Sequence, residues 1–213
     1  MNWVYYAGRW ATWVLLFLLT RWKVTGRENI PTKGPLLIAA NHLSLADPPI
    51  IGTSIRRKMI FFAKEDLFRA KYSSYFIRNY GALPLRRGGL NRKALASAEA
   101  SLANGIALVM FPEGGRSRNL QLQDAFPGSA MLAIRLGVPI LPVGISGTEV
   151  VKGLGWCWRR PRITVNIGPV FMPPEDGNKD RAALQEFTDN IMEHIAALLP
   201  PKYRGEKYLG NQP

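Results

Sequence analysis

Five short apolar runs, Leu36–Ala40, Met59–Ala63, Ile106–Phe111, Ile140–Ile145 and Ile163–Ile167, punctuate the chain. They show little polar alternation, which is the pattern of strands buried on both faces. Segments with helical spacing lie between several of them, at about 48–57, 66–79, 90–103, 127–136 and 179–199. Strands that alternate with helices predict an α/β fold, one sheet covered by helices. In the last helix Leu184, Phe187, Ile191, Ile195 and Leu198 share one face, and Pro200-Pro201 stops it. From Lys202 onward the tail is expected to be loosely ordered. No internal repeat, low-complexity tract or long linker divides residues 24–200, so a single domain is expected there.

The amino-terminal residues follow another pattern. An apolar stretch from Trp10 to Thr20 is bounded by Arg9 and Arg21, and four of the six tryptophans, Trp3, Trp10, Trp13 and Trp22, fall within the first 22 residues. As a helix those eleven residues reach about 16 Å, roughly half the hydrocarbon thickness, so a straight helix here cannot span a bilayer. The expectation is an N-terminal interfacial membrane helix. Its indole rings would sit at headgroup depth, Arg9, Arg21 and Lys23 on lipid phosphates, and Val14 to Leu19 among the acyl chains. This divides the chain into a monotopic anchor over 1–23 and a second unit over 24–213. A buried core helix is the other reading left open. A cleaved signal peptide fits poorly, because a small-residue cleavage site is missing and Arg21-Trp22-Lys23 follows the apolar run directly.

Charge narrows the classes of partner without choosing one. The 213-residue chain has a net charge of +13, and residues 54–93 hold eleven cations against two acids. With 47% hydrophobic content it is no disordered basic tail. The local field would attract nucleic acid, anionic headgroups or a phosphorylated substrate, or it is a solvated cationic face and nothing more. The single cysteine, Cys157, cannot form an internal disulfide and fits a reducing compartment. Together with His42 and His194 it does not make a Cys/His zinc site, so no metal is expected.

Candidate chemistry begins where the first buried run ends, in Asn41-His42-Leu43-Ser44-Leu45-Ala46-Asp47-Pro48-Pro49. A histidine just past a carboxyl strand end stands where α/β sheets place ligands. On a continuous helix His42 and Asp47 would be about 140° apart, so their pairing needs a turn. Asp47 before Pro48 supplies it, as an N-cap with proline opening the next helix. Asp47 would then accept from one ring nitrogen and leave the other to abstract a proton, a general-base dyad. A structural histidine is the plainer alternative, and His194, on the last helix, is read that way. The chain has no GxSxG nucleophile elbow, since Gly144-Ile145-Ser146-Gly147 is a different pattern and Ser146 reads as a turn residue. Without an enzyme nucleophile the base would activate a hydroxyl on the substrate.

Two turns are suited to anions. In Phe111-Pro112-Glu113-Gly114-Gly115-Arg116-Ser117 the glycines let amides approach an oxyanion, Arg116 can fork onto phosphate, and Glu113 can hold a hydroxyl or orient the arginine. Gly81 to Gly89 carries Arg86 and Arg87 and is the second. Each is also readable as an ordinary surface loop. Neither matches a Walker loop or GxGxxG, so nucleotide binding has no support.

In order, these residues resemble the glycerolipid acyltransferase family, specifically its bacterial 1-acyl-glycerol-3-phosphate acyltransferases. Asn41-His42 through Asp47 resembles the NHxxxxD block, Gly81 through Gly88 the arginine block, Phe111 through Ser117 the FPEGTRS block, and Val138 through Val143 the proline-containing strand. The resemblance implies a mixed, largely parallel β-sheet flanked by helices. It implies His42 as general base, Asp47 as its orienting carboxylate, and Arg87, Glu113, Gly114 and Arg116 as ligands for the acceptor's phosphate and glycerol. Lys64 resembles a lysine near the family's acyl pocket. The implied reaction moves a fatty acyl group from acyl carrier protein or coenzyme A to lysophosphatidate, with no metal or prosthetic group. With the anchor and the cationic field, the chain is expected on anionic lipid at the cytoplasmic face of the cell membrane, without a nucleic-acid partner. Gly115 stands where threonine is usual and Arg86 where an acid often precedes Arg87, which points toward other acceptors such as lyso-ornithine lipid. The rival classes are a non-enzymatic basic peripheral membrane protein and a hydrolase that uses water as acceptor.

Overall fold

The computed structural model describes residues 3–69, 71–85, 92–153, 155–174 and 180–208. A seven-stranded sheet forms its centre, in the order β1-β7-β6-β2-β5-β3-β4. The strands are β1 Arg21–Thr25, β2 Leu37–Ala40, β3 Met59–Lys64, β4 Ala82–Leu85, β5 Ala107–Met110, β6 Ile140–Ser146 and β7 Arg162–Ile167. All neighbours run parallel except β6 and β7, where Val143 faces Ile167 and Ser146 faces Thr164. That exception has a cause. Among the described residues no α-helix lies between β6 and β7, only two 3₁₀ turns, and a parallel connection usually crosses over through a helix. The result is the mixed, largely parallel sheet that the family resemblance implies.

The central strands β2, β5 and β6 are apolar because both faces are covered. One face packs with Leu102, Leu132, Ile191 and Ile195, the other with Leu16, Ile51, Ile55 and Ile163. Helices α1 Trp3–Leu19, α2 Asp47–Ser54, α3 Lys71–Asn79, α4 Arg92–Ala103, α5 Gly128–Leu136 and α6 Arg181–Ala197 complete the layers. The α6 stripe read from the sequence is realised: Phe187, Ile191 and Ile195 are buried, and Asp180 caps the helix by accepting from the Ala183 amide.

Helix α1 is longer than the apolar stretch from Trp10 to Thr20 and has two unlike faces. Val4, Tyr5 and Leu16 are buried, while Trp3, Trp10, Trp13, Leu15, Phe17 and Leu18 are exposed. The inner face is tied down by the Tyr5 hydroxyl, which donates to the Arg57 carbonyl at 3.2 Å, and by packing of Tyr5 on Tyr80. Gly8 permits this approach, since a Cβ there would stand 3.0 Å from the Tyr80 ring. Strand β1 follows at once, so Arg21, Trp22 and Lys23 pair with Arg162, Ile163 and Thr164 at the sheet edge. The division expected after residue 23 therefore falls inside a strand.

The chain end departs from expectation. A short helix, α7 Pro201–Arg204, follows α6, and Tyr203 and Tyr208 are buried. Tyr203 accepts the Leu122 amide at its carbonyl and donates its hydroxyl to Glu149 at 2.7 Å. Two aromatic anchors, Tyr203 and Tyr208, order residues 202–208 where a loosely ordered tail is expected from the sequence.

Candidate active site

The sheet brings the carboxyl ends of β2 and β5 side by side, with Ala39 level with Met110. Each strand runs directly into one of the two loops that carry chemistry. Asn41 makes the first turn possible. Its side-chain amide donates to the Ile145 carbonyl at 2.9 Å and accepts the Ile145 amide at 2.7 Å, extending the β2–β6 pairing by one position while the backbone departs. His42 is then held by its own backbone: its amide donates to Glu113 Oε1 at 3.0 Å and its carbonyl accepts the Ser117 amide at 2.8 Å.

The loop from His42 to Asp47 folds back as the sequence requires. His42 Nδ1 lies 2.8 Å from Asp47 Oδ2, which also accepts the Leu43 and Ser44 amides at 2.7 Å each. An ionised carboxylate only accepts, so Nδ1 carries the proton and Nε2 keeps its lone pair. Asp47 is completely buried and the His42 side chain is 14% exposed. The imidazole stacks on Phe111, centroids 4.1 Å apart and planes 20° from parallel. One face is thus covered by an aromatic ring and one nitrogen by a carboxylate.

Asp47 differs from the N-cap that its place before Pro48 suggested. It is the first residue of α2, Ala46 takes the cap position, and no side chain caps the helix. Its carboxylate turns back to the preceding loop instead. Three donors on one oxygen hold the imidazole's partner more firmly than a cap would, because the Leu43 and Ser44 amides fix the loop that carries His42.

Glu113 also has partners that the sequence reading did not supply. It is buried, with Oε1 on the His42 amide and Oε2 on the Gln123 amide, each at 3.0 Å. Burial pushes its carboxyl up to about 7, the two amides pull the other way, and the negative charge of Asp47 adds to the rise. The side chain therefore binds the two loops together through backbone.

Gly114 has φ +66°, and a Cβ there would lie 2.8 Å from the Phe126 ring, so the turn demands glycine. At Gly115 an added Cβ meets nothing within 4 Å. Arg116 is exposed on the same turn, which ends on the Ser117 amide bound to His42. Arg87, like Arg86, lies outside the described residues. Lys64 is exposed at the carboxyl end of β3, next to β5 in the sheet.

Other residues singled out from the sequence fall elsewhere. His194 lies within α6, its Nδ1 2.9 Å from the Asn190 carbonyl and its ring stacked on Phe171 at 4.1 Å. Ser146 is the buried last residue of β6. Arg57 leaves the cationic field altogether: its buried guanidinium donates to the carbonyls of Pro31, Gly34 and Gly105. Asn41 and Phe111 are the site residues whose work sequence reasoning missed. Their signal was position, each next to a motif at the end of a predicted strand, but their partners depend on which strands are neighbours.

A family model described as Acyltransferase matches residues 21–146. The chain is 31% identical over 128 residues to a 1-acyl-sn-glycerol-3-phosphate acyltransferase of Borreliella burgdorferi, covering 59% of this chain and 51% of that protein. It is 30% identical over 198 residues to one of Streptococcus pneumoniae, covering 89% of this chain and 69% of the relative. The crystal structure of the 1-acyl-sn-glycerophosphate (LPA) acyltransferase PlsC from Thermotoga maritima matches with a TM-score of 0.68 and 28% identity, over 88% of this chain and 76% of that one. The chain spans about half the length of the Borreliella protein.

Proposed function

The chain belongs to the acyltransferase family, matched over residues 21–146, and from that premise we propose that it is a lysophosphatidate acyltransferase. It would move a fatty acyl group from a thioester of acyl carrier protein or coenzyme A to the free hydroxyl of lysophosphatidate, giving phosphatidate. The names of the relatives support this acceptor. The observation that carries the chemistry is the 2.8 Å pairing of His42 Nδ1 with Asp47, which leaves Nε2 as the basic nitrogen.

His42 Nε2 takes the proton of the acceptor hydroxyl as that oxygen bonds to the thioester carbonyl carbon. The C–S bond then breaks, and the imidazolium returns the proton to the departing thiolate. A base in this position contributes about 10² to 10⁴ in rate. Asp47 holds the tautomer and stabilises the imidazolium. Arg116 and Arg87 take the acceptor phosphate, and Glu113 and Gly114 give the loop its shape beside His42. The proposed step uses no metal or prosthetic group.

Among the described residues no helix is long and apolar enough to cross a membrane. The exposed Trp, Phe and Leu face of α1 supports an interfacial attachment. The proposal places lipid acceptors in an anionic leaflet and the chain at the cytoplasmic face. Gly115 favours a second acceptor reading: with nothing within 4 Å of an added Cβ, the loop leaves space that threonine would fill, and a bulkier headgroup such as that of lyso-ornithine lipid could enter. Purified protein offered a panel of lyso-lipids with both thioester donors decides between these readings. Phosphatidate identified by product mass is expected. Fatty acid release without acylated product identifies a hydrolase, and salt-steep lipid binding without turnover identifies a non-enzymatic membrane protein.

A further inference from the structure

A cavity of about 450 Å³ lies between α1, β1 and the end of α2, and shares no residue with the His42 site. Its walls include three arginines, Arg9, Arg27 and Arg56, and three tryptophans, Trp10, Trp13 and Trp22. Tyr6 and Thr53 complete the lining, and among the described residues no carboxylate does. Thr53 is a closed part of the wall, since its hydroxyl donates to the Pro49 carbonyl at 2.8 Å. Helix α2 starts at Asp47 and reaches this cavity at its last turn, a helix of eight residues and about 12 Å.

We propose that this cavity binds the phosphate of an anionic phospholipid headgroup, at a site separate from the acceptor site. Guanidinium groups fork onto phosphate oxygens, and indole walls lower the local dielectric and strengthen that attraction. Arg27 already lies over the Trp22 ring, 5.8 Å from its centroid, and the buried Trp22 Nε1–H has no acceptor among the described residues. The entrance is placed for lipid rather than for a free solute: Trp10 is 67% exposed and Trp13 44% exposed, on the helix face that also presents Phe17 and Leu18. Tryptophan and arginine together mark headgroup depth, and the volume suits a phosphate with its glycerol. The site rests on α1 lying in the membrane interface.

The test compares the full chain with R27Q/R56Q, and with K152Q/R159Q as a variant of equal charge loss elsewhere. Each is partitioned onto phosphatidylcholine vesicles with and without about 30% phosphatidylglycerol, a composition that gives an anionic surface. Wild type and K152Q/R159Q should prefer the anionic vesicles. R27Q/R56Q should lose about tenfold of that preference while keeping its binding to neutral vesicles and its turnover on a detergent-dispersed acceptor. Equal losses in both double variants would reduce the effect to net charge and overturn the site. Inorganic phosphate, titrated against tryptophan emission at constant ionic strength, separates the sources. A response lost in R27Q/R56Q, with vesicle preference intact, would overturn the lipid assignment. A wild type that ignores both kinds of vesicle would sink the interfacial reading of α1, and this site with it.

Discussion

The loop from Asn41 to Asp47 and the helix from Trp3 to Leu19 solve opposite problems. In the loop a few atoms are held by many polar bonds: Asp47 Oδ2 takes three donors, Asn41 takes part in two bonds to Ile145, and Glu113 and Ser117 grip the His42 backbone. In the helix a broad apolar face is left uncovered while the other face packs around Tyr5 and Leu16. Chemistry at one nitrogen needs placement within about half an ångström, which redundant hydrogen bonds provide. The membrane attachment proposed for α1 would need area and little geometry. Damage should therefore be steep and local in the loop, shallow and additive on the helix.

Apart from His42 itself, the largest effect is expected at Asp47. Replacing it with Asn keeps an oxygen for the loop amides but removes the charge that fixes the imidazole, and turnover should fall by about 10³ or more. Steady-state kinetics on the folded variant check this, and a loss confined to the Michaelis constant would contradict it. At Glu113 the expected signature is in stability. Its carboxyl sits at about 7 against an ordinary 4.5, so between those values the folded protein keeps a proton that the unfolded chain has released. Its stabilising effect is complete below about 4.5 and is lost as pH rises through about 7. Wild type should lose up to about 3 kcal/mol relative to E113Q across that window, measured by denaturant unfolding at several pH values. Parallel curves would show that burial does not govern this carboxyl.

On the helix, L15S/L18S should weaken partition onto neutral vesicles by about 150-fold or more, at about 1.5 kcal/mol or more per leucine, with turnover on a dispersed acceptor unchanged. Turnover falling alongside partition would mean that α1 shapes the site itself. Smallest is Gly115→Thr, where the added side chain finds space and φ is not left-handed. Unfolding should shift by about 0.5 kcal/mol or less, and the change should appear in acceptor preference.

Much of this is legible in the sequence, and the exceptions have physical causes. The buried strands announced themselves as apolar runs, and the His42–Asp47 pairing followed from a proline that forces a turn. Strand β1 escaped notice because its outward positions, Arg21, Lys23 and Thr25, are polar, as suits an edge beside a helix. Strand β4 contains Pro84, which reads as a turn and is tolerated because β4 is the other edge. Arg57 looked like one more cation of a basic run, and only the converging carbonyls of Pro31, Gly34 and Gly105 reveal its structural task. Phe111 stacks on His42 because β5 adjoins β2, a neighbour relation that no local pattern encodes.

The most direct test of the central claim is transfer by purified His42→Ala, followed as phosphatidate formed from an acyl thioester and lysophosphatidate in a single turnover, with unfolding and vesicle partition measured beside it. Loss of about 10² to 10⁴ in rate, with folding and membrane attachment retained, is the predicted result. Transfer at close to the wild-type rate would contradict the assignment of His42 as the base.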